Sequence, residues 1–292
     1  MTSRRSFLKT SAVLSAGLLV APKLFAYDKK YIGLQLYTVR DAMGKDPAAT
    51  LAKVAQIGYN SIETSYGDGK FYGLDGKAFS ALAKQNGLIV PSCHYRLGEE
   101  KTSGEAPKGT ILNGWDKAVD DAAEVGLKYM VCAWLAPSER GSLDHYKQVA
   151  EDLNKAGETC KKAGIQLCYH NHDFEFIQED GKYPYETLLK NTDKKLVKME
   201  MDLYWMTKAK QDPIAVFNEN PGRFPLLHLK DMDNTPKQMF TEVGNGIVDF
   251  KKILSHSNTA GVKYVFVEQD TCPGDPFDSI TKSITYIKSN LI

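Results

Sequence analysis

Short apolar segments rich in β-branched and aromatic residues recur eight times along this chain, and a helical pattern separates each from the next. The segments lie at 31–37, 61–65, 88–94, 128–135, 165–172, 197–204, 224–230 and 263–269. Between them apolar residues recur every three to four positions, as in 115–125 and 143–163, which is typical of amphipathic helices. Strands that alternate with helices in this way predict a parallel sheet covered by helices.

Several helical patterns end at a glycine just before the next apolar segment. These glycines are Gly58, Gly87, Gly126, Gly164 and Gly261. A glycine at this place is typical of a helix C-terminus that leads into a buried strand. Eight such units within residues 27–292, with no linker-like segment, predict a single α/β domain, a (β/α)8 TIM barrel of about 250 residues. A doubly wound open sheet is the alternative, but the first turn, 38–41, lacks the GxGxxG pattern that such sheets usually carry.

Composition places the chain among ordinary globular proteins. Of its 292 residues, 42% are hydrophobic, and 37 Lys and Arg balance 36 Asp and Glu to a net charge of +1. These values exclude disordered, collagen-like and disulfide-scaffold proteins. The balanced charge also argues against a protein that binds nucleic acid through a broad basic surface, so we expect no nucleic-acid partner.

Residues 1–26 have the pattern of an export signal. Arg4 and Arg5 are followed by Phe7-Leu8-Lys9, and an apolar stretch at 12–21 precedes a plausible cleavage site after Ala26. The stretch is too short to span a bilayer of about 30 Å as a helix. The segment resembles a twin-arginine signal. We therefore expect a mature domain at 27–292, export to the periplasm by the twin-arginine machinery, and no stable membrane span.

Polar side chains concentrate at the ends of the predicted strands, where TIM barrels build their active sites. They are Gln35, Arg40, Glu63, His94, Arg96, Trp134, His170, Asn171, His172, Asp173, Glu175, Glu200, Asp202, Trp205, His228, Lys230, Asp231, Glu268 and Asp270. Four of the six histidines belong to this set. Imidazole and carboxylate groups together suit a divalent first-row metal ion. Because no HExxH or CxxC motif is present, the ligands must come from different strands.

Five segments carry a more specific pattern, and they follow one another over nearly the whole predicted domain. They are 33–41, 169–176, 201–205, 227–231 and 267–268. Together they resemble the sugar phosphate isomerase/epimerase superfamily, the xylose isomerase-like TIM barrels of the AP endonuclease 2 type. That superfamily includes ketose 3-epimerases, inosose dehydratases and AP endonucleases, so the resemblance implies a fold and a site more closely than it implies one reaction.

The resemblance implies one divalent metal ion, Mn, Co, Zn, Fe or Mg, held by residues from the last four strands. Asp202, His228 and Glu268 match three of the ligands in the epimerases. The fourth ligand there is a glutamate, and His170 stands at the matching position of this chain. Glu175 matches a glutamate that contacts substrate. We predict that His170 is the fourth ligand, with Glu175 as the alternative.

The same comparison bears on the reaction. In the epimerases two metal-bound glutamates flank a carbon beside a carbonyl, and one removes the proton that the other returns. We expect a metal-dependent sugar isomerase or epimerase that abstracts such a proton. With His170 replacing one glutamate, the alternative is a lyase, dehydratase or hydrolase acting on 3-keto sugars or glycosides. Glu268 or His172 is then the predicted base, and Glu175 or His94 the predicted proton donor.

The predicted substrate is a small carbohydrate. The residues expected to contact it are Gln35, Arg40, His94, Trp205 and Lys230. The turn at 243–246 offers backbone N–H groups to a phosphate, but an exported enzyme would rarely meet sugar phosphates, so an unphosphorylated sugar is favoured. A homodimer is possible for a barrel with exposed helices.

Other functions and ordinary structural roles compete with these assignments. An exported sugar-binding barrel without catalysis is a further class, although binding alone needs no metal. An AP endonuclease is disfavoured by the few histidines and the balanced charge. The competing structural roles are a helix cap for Asp202, an ion pair with Lys230 for Glu268, and burial in the core for His170 and His172. The convergence of several such residues at one barrel end favours a metal site.

Overall fold

The computed structural model describes residues 31–98 and 107–292. The predicted signal at 1–26 lies outside these residues, so cleavage after Ala26 and export stay predictions, which N-terminal sequencing of the secreted protein would check. Within the described ranges, no helix is both long enough and apolar enough to cross a membrane.

Eight parallel strands close into a barrel. They are β1 (Ile32–Gln35), β2 (Ser61–Gly67), β3 (Ile89–Arg96), β4 (Tyr129–Trp134), β5 (Gln166–His170), β6 (Val197–Asp202), β7 (Leu226–Leu229) and β8 (Tyr264–Val267). Each strand pairs with the next, and β1 pairs with both β2 and β8, so the sheet has no free edge. The predicted (β/α)8 barrel is confirmed, and each of the eight apolar segments overlaps one of its strands, although β2 and β3 each extend two residues beyond the predicted segment.

Helices surround the barrel. They are α1 (Arg40–Lys45), α2 (Pro47–Ile57), α3 (Gly76–Gln85), α4 (Trp115–Val125), α5 (Leu143–Lys162), α6 (Pro184–Asn191), α7 (Leu203–Lys208), α8 (Pro213–Glu219), α9 (Phe250–Leu254), α10 (Ser257–Ala260) and α11 (Pro276–Asn290). Asp75 and Ser142 begin α3 and α5 by accepting a backbone N–H. Gly126 follows α4 with a φ of 87°, a left-handed conformation that glycine adopts without strain.

Short helices and strands lie at the C-terminal end of the barrel. Three 3-10 helices lie there, at Leu36–Val39, Pro137–Glu139 and Phe174–Phe176. The two-residue strand Lys70–Phe71 turns back along the end of β2, and Asp231–Met232 pairs antiparallel with Phe240–Thr241. These elements form the loops that surround the predicted site.

The barrel interior changes from apolar to polar along the strands. Val131, Cys168, Leu226 and Phe266 form a buried apolar cluster that is separate from the larger core beneath the helices. Side chains two positions apart on a strand point to the same face. His228 follows Leu226 by two positions on β7, and His170 follows Cys168 by two positions on β5. Polar groups therefore stand directly above the apolar cluster.

A glycine on β1 makes room for this interior. A Cβ at Gly33 would collide with the ring of Phe266 and would lie 2.9 Å from the carbonyl oxygen of Val265. We predict that Gly33→Ala lowers the free energy of unfolding by about 1–3 kcal/mol, as overpacking does in other cores. Urea denaturation would measure the change.

The matched control is Gly44→Ala on α1, where a Cβ would meet nothing within 4 Å. Alanine is the better helix former, so this variant should be as stable as the parent or slightly more stable. Equal stabilities of the two variants would contradict the account of the interior.

Candidate functional site

Four buried side chains and the partly buried ring of His94, from five strands, form a polar layer above the apolar interior, which we call the carboxylate–imidazole layer. Its members are Glu63 on β2, His94 on β3, His170 on β5, Glu200 on β6 and His228 on β7. The Nε2 atom of His94 lies 2.9 Å from a carboxylate oxygen of Glu63 and 2.9 Å from one of Glu200. Glu200 also lies 2.9 Å from Nδ1 of His170, and Glu63 lies 2.6 Å from Nε2 of His228. Glu63 therefore joins two imidazoles, and Glu200 contacts three, because Nε2 of His228 also lies 3.3 Å from it.

A second cluster lies on the other side of His228, and we call it the carboxylate–lysine cluster. It contains Asp202, Lys230, Glu268 and Asp270. The Nδ1 atom of His228 lies 3.0 Å from Oε2 of Glu268 and 4.0 Å from Oδ2 of Asp202. The Nζ atom of Lys230 lies 2.7 Å from Asp270, 2.8 Å from Glu268 and 3.3 Å from Asp202. The ion pair anticipated between Glu268 and Lys230 is thus present, within a larger network.

The two oxygens of Asp202 have different surroundings. Oδ1 accepts the backbone N–H of Trp205 at 3.1 Å and so caps α7. Oδ2 is buried without a hydrogen-bond partner, although Nζ of Lys230 lies 3.3 Å and Nε2 of His170 lies 3.7 Å away. A buried carboxylate oxygen without a hydrogen bond is unfavourable unless a cation or donor reaches it. The helix-capping interpretation therefore accounts for only half of this carboxylate.

Negative charge is in excess across the two clusters. The carboxylates are Glu63, Glu200, Asp202, Glu268 and Asp270, and the only lysine among them is Lys230. Burying such an excess is unfavourable unless protonated imidazoles or a bound cation balance it. The donor set, with ring nitrogens and carboxylate oxygens, fits a divalent cation.

Burial and charge shift the pKa values of these groups in different directions. Burial alone would lower the pKa of His94, but attraction to Glu63 and Glu200 outweighs it and raises the pKa to about 10. Burial and the nearby Lys230 lower the pKa of His172 to about 3, so that ring stays neutral. His94 is therefore a stable proton carrier in this environment, whereas His172 is a neutral hydrogen-bonding group.

Two sets of atoms lie close enough together to hold an ion. One set is His94, His170, Glu200 and His228, and the other is Asp202, His228 and Glu268. In the first set, hydrogen bonds of 2.9 Å already link Glu200 to two of the ring nitrogens. In the second set Asp202 keeps an oxygen without a hydrogen bond, and Nε2 of His170 faces it. The second set, with His170, is the better fit.

A cavity of about 860 Å³ opens above the clusters at the C-terminal end of the barrel. The residues of its inner wall are His94, His170, His172, Lys230, Glu268 and Asp270. Aromatic residues line the outer wall, among them Tyr37, Tyr72 and Trp134. Groups able to donate, accept or hold protons and flat aromatic surfaces thus line the same cavity.

Three of the predicted substrate contacts, Gln35, Arg40 and Trp205, are not part of the cavity lining. Gln35 is buried and donates from Nε2 to Glu63 at 2.9 Å. The Arg40 guanidinium donates to the carbonyl oxygens of Tyr37 and Asp270 at 2.9 and 3.0 Å. These placements do not support direct contact with a substrate. Gln35 holds a buried carboxylate in place, and Arg40 fastens the loop that follows β8.

Glu175 also lies away from the cavity. Its Oε1 accepts the hydroxyl of Tyr169 at 2.6 Å, and its Oε2 accepts the backbone N–H of His172 at 2.8 Å. Burial raises its pKa to about 7. The 3-10 helix after β5 turns this side chain beneath the strand end. Its predicted roles as proton donor or as fourth metal ligand are not supported by this position, and the carboxylate holds His172 instead.

Trp205 packs behind the inner wall of the cavity. Its ring centroid lies 5.2 Å from that of His172, and Nζ of Lys230 lies 5.5 Å from the ring centroid. Its Nε1 is buried without a hydrogen-bond partner. The predicted contact with substrate is thus at most indirect in this arrangement, whereas His94 and Lys230 do line the cavity as expected for substrate contacts.

Three of the acidic residues noted at strand ends lie in the site although they received no role from the sequence. Glu63 and Glu200 are fully buried in the carboxylate–imidazole layer, and Asp270 binds Lys230. A signal was available for Glu200, because it stands between Met199 and Met201 within a strand. An acidic side chain in such a position needs a partner inside the barrel.

The turn at 243–246 is not an open anion site. The backbone N–H groups of Gly244 and Gly246 donate to Oδ2 of Asp231 at 2.9 and 3.1 Å, and that of Val248 donates to Oδ1 at 3.1 Å. The protein's own carboxylate therefore occupies the donors that a phosphate would use.

Comparisons with known proteins agree with the observed fold. Residues 51–289, most of the chain, match the family described as xylose isomerase-like TIM barrel. A sugar phosphate isomerase/epimerase from Parabacteroides distasonis is 30% identical, with a TM-score of 0.76 over 91% of this chain and 96% of that one. An IOLI protein with a bound zinc atom has a TM-score of 0.68 over 88% of this chain and 97% of that one, but at 13% identity it shows a shared fold only.

Curated relatives include inosose dehydratases. The protein of that name from Clostridium beijerinckii is 28% identical over 197 residues, which cover 56% of this chain and 65% of the relative. The chain spans between half and two thirds of the length of the inosose dehydratases that it matches.

The position of Glu175 predicts a pH dependence of stability. Because burial raises its pKa from 4.5 to about 7, the folded protein binds more protons than the unfolded chain between these values. The contribution of Glu175 to the free energy of unfolding should therefore fall as pH rises from about 4.5 to about 7. We predict that Glu175→Gln removes this fall, by up to about 3 kcal/mol, in urea denaturation at both ends of the range. A variant that keeps the full fall would contradict the assignment.

Proposed function

Because this chain belongs to the xylose isomerase-like TIM barrel family, we propose that it is a metal-dependent lyase acting on a keto sugar or keto glycoside. It would remove the proton beside the carbonyl and expel the oxygen group β to it. One observation carries the choice of reaction. Glu268 faces the cavity among the proposed metal ligands, and no second glutamate stands opposite it at the end of β5, where His170 is found.

The proposed ligands of the metal are Oδ2 of Asp202, Nδ1 of His228, Glu268 and Nε2 of His170. The buried Asp202 oxygen without a hydrogen bond and the excess of carboxylates support this set. Mn, Co, Zn, Fe and Mg all accept part or all of such a donor set. When bound, the ion supplies Lewis-acid polarisation of the substrate carbonyl.

Glu268 is the proposed base. It lines the cavity, Nζ of Lys230 donates to its Oε2 at 2.8 Å, and Nδ1 of His228 lies 3.0 Å from the same oxygen. The carboxylate takes the proton from the carbon beside the carbonyl, and the electron pair of that C–H bond moves into the enolate. The enolate then restores the carbonyl and forms a carbon–carbon double bond as the C–O bond to the β group breaks.

His94 is the proposed proton donor to the departing oxygen. Its Nε2 is held by two buried carboxylates that keep the ring protonated, and its ring lines the cavity with 13% of the side chain exposed. The products are an unsaturated ketone and water, or an alcohol when the substrate is a glycoside. His172, whose Nδ1 is buried without a hydrogen-bond partner, is placed to bind a substrate hydroxyl.

Epimerisation is the second candidate, favoured by the name of the 30% identical relative from Parabacteroides distasonis. It requires a second acid or base on the opposite face of the substrate. His170 stands where that group would be, but its Nδ1 lies 2.9 Å from Glu200 and its Nε2 faces Asp202. A ring engaged at both nitrogens is poorly suited to return a proton, so the lyase is preferred. A non-catalytic sugar-binding barrel would have no need of the proposed metal ligands.

The volume and lining of the cavity indicate the kind of substrate that it can bind. A volume of about 860 Å³ lies in the upper part of the range for small-molecule sites, which leaves room beyond one sugar ring. The aromatic outer wall suits the flat faces of a second ring. These features support a keto glycoside. Since Asp231 occupies the backbone donors at 243–246, an unphosphorylated substrate is preferred.

The proposal is tested by incubating the metal-loaded protein in D₂O with keto sugars and keto glycosides, with NMR detection. We expect about one equivalent of divalent metal by elemental analysis and an unsaturated keto product. A deuterated epimer without elimination would establish the epimerase instead. If the protein shows no deuterium exchange and contains no metal, it is a sugar-binding protein instead.

A variant separates the two proton transfers. His94→Gln keeps N–H groups for Glu63 and Glu200 but cannot give up a proton. Since the donor acts after the proton beside the carbonyl is removed, we predict that the variant retains deuterium uptake while elimination slows by about 10²-fold or more.

Metal content serves as the control and should be unchanged in this variant. If His94→Gln loses deuterium uptake while it keeps its metal, the proposed role of His94 as the donor in the second step is wrong.

A further inference from the structure

Glu63 and Glu200 lie behind the proposed metal ligands and are fully buried. We propose that they are positioning residues, which decide the ring nitrogen on which His228 and His170 each carry a proton. The inference rests on the proposed metal site, but its tests use no substrate.

His228 shows the arrangement most clearly. Its Nε2 lies 2.6 Å from Glu63, and its Nδ1 faces Glu268 and Asp202. A neutral imidazole has one N–H group and one lone pair. With the proton directed at Glu63, the lone pair stands on Nδ1, on the side of the two acidic ligands.

His170 has the opposite arrangement. Its Nδ1 lies 2.9 Å from Glu200, and its Nε2 lies 3.7 Å from Oδ2 of Asp202. With the proton directed at Glu200, the lone pair stands on Nε2. The two histidines thus hold opposite tautomers, and both lone pairs face the same carboxylate oxygen of Asp202.

Neighbouring side chains hold the carboxylates of Glu63 and Glu200 in position. Glu63 accepts hydrogen bonds from Gln35 at 2.9 Å and from the hydroxyl of Ser92 at 2.5 Å. His94 links Glu63 to Glu200 through one ring nitrogen. A flip of either metal-site ring would remove one of the N–H donors of a buried carboxylate, which is unfavourable. Carboxylate partners of this kind orient metal-binding histidines and raise their basicity.

The alternative is a second cation within the carboxylate–imidazole layer. It would require both ring nitrogens of His170 and of His228 to bind metal at once, and it would remove the hydrogen bonds of 2.6 and 2.9 Å that these rings make. Hydrogen bonds account for those contacts without a second ion. The inference therefore requires a single metal ion in the barrel.

The first test measures Zn²⁺ affinity by competition with a chelator. Glu200→Gln keeps the shape of the side chain but removes its charge, so we expect affinity to fall by about 10–100-fold. Glu242→Gln is the matched control, because Glu242 is also a buried carboxylate but binds Ser279 and Lys282 instead of an imidazole. Its affinity for Zn²⁺ should match the parent. Equal affinity of all three proteins, or no Zn²⁺ binding by the parent, would overturn the inference.

The second test does not depend on a variant. In ¹⁵N NMR of the Zn²⁺-loaded parent protein, we expect the proton on Nε2 of His228 and on Nδ1 of His170. The reverse assignment for either ring, or two bound Zn²⁺ ions per chain, would overturn the inference. Both readouts stand if the protein proves not to be a lyase, because failure of that reaction would appear only in the D₂O experiment.

Discussion

The rest of the site depends on the contacts of the His228 ring. Its Nε2 lies 2.6 Å from Glu63, and its Nδ1 lies 3.0 Å from Glu268. It stands on β7 directly above the apolar interior, so the closed barrel fixes its height and direction. The ring lies between Glu63, which is buried and positions other groups, and Glu268, which lines the cavity.

The fold was predictable because one repeated signal determines it. Alternating strand and helix patterns require parallel pairing, and glycines such as Gly126 mark where helices end. Predicted strand ends were less accurate. The first strand stops at Gln35 and the fifth at His170, each two residues before the predicted end, because 3-10 helices and turns follow.

The candidate site was predictable only in part, because the sequence does not give the direction in which every side chain points. Strand position gives the height of a side chain in the barrel, and this brought Asp202, His228 and Glu268 together. Beyond a strand end, period-two alternation no longer applies, so the inward turn of Glu175 beneath His172 had no signal in the sequence. The contacts of Glu63 and Glu200 depend on the closure of the barrel, which joins residues far apart in sequence.

His170 stands at the end of β5, where the resemblance to the epimerases predicts a glutamate. A carboxylate there would be free to exchange protons with a substrate, whereas this imidazole is engaged by Glu200 and faces Asp202. The acid–base groups that remain on the cavity wall include Glu268 and His94. Their different charges, a carboxylate and a protonated ring, suit removal of one proton and delivery of another to a leaving group.

The most direct test of this account is a crystal structure of the metal-loaded protein, with anomalous scattering measured at the absorption edge of the ion. The account predicts one peak, bound by Nδ1 of His228, Asp202, Glu268 and Nε2 of His170. A peak bound instead by Nε2 of His228 and of His94, within the carboxylate–imidazole layer, would contradict it.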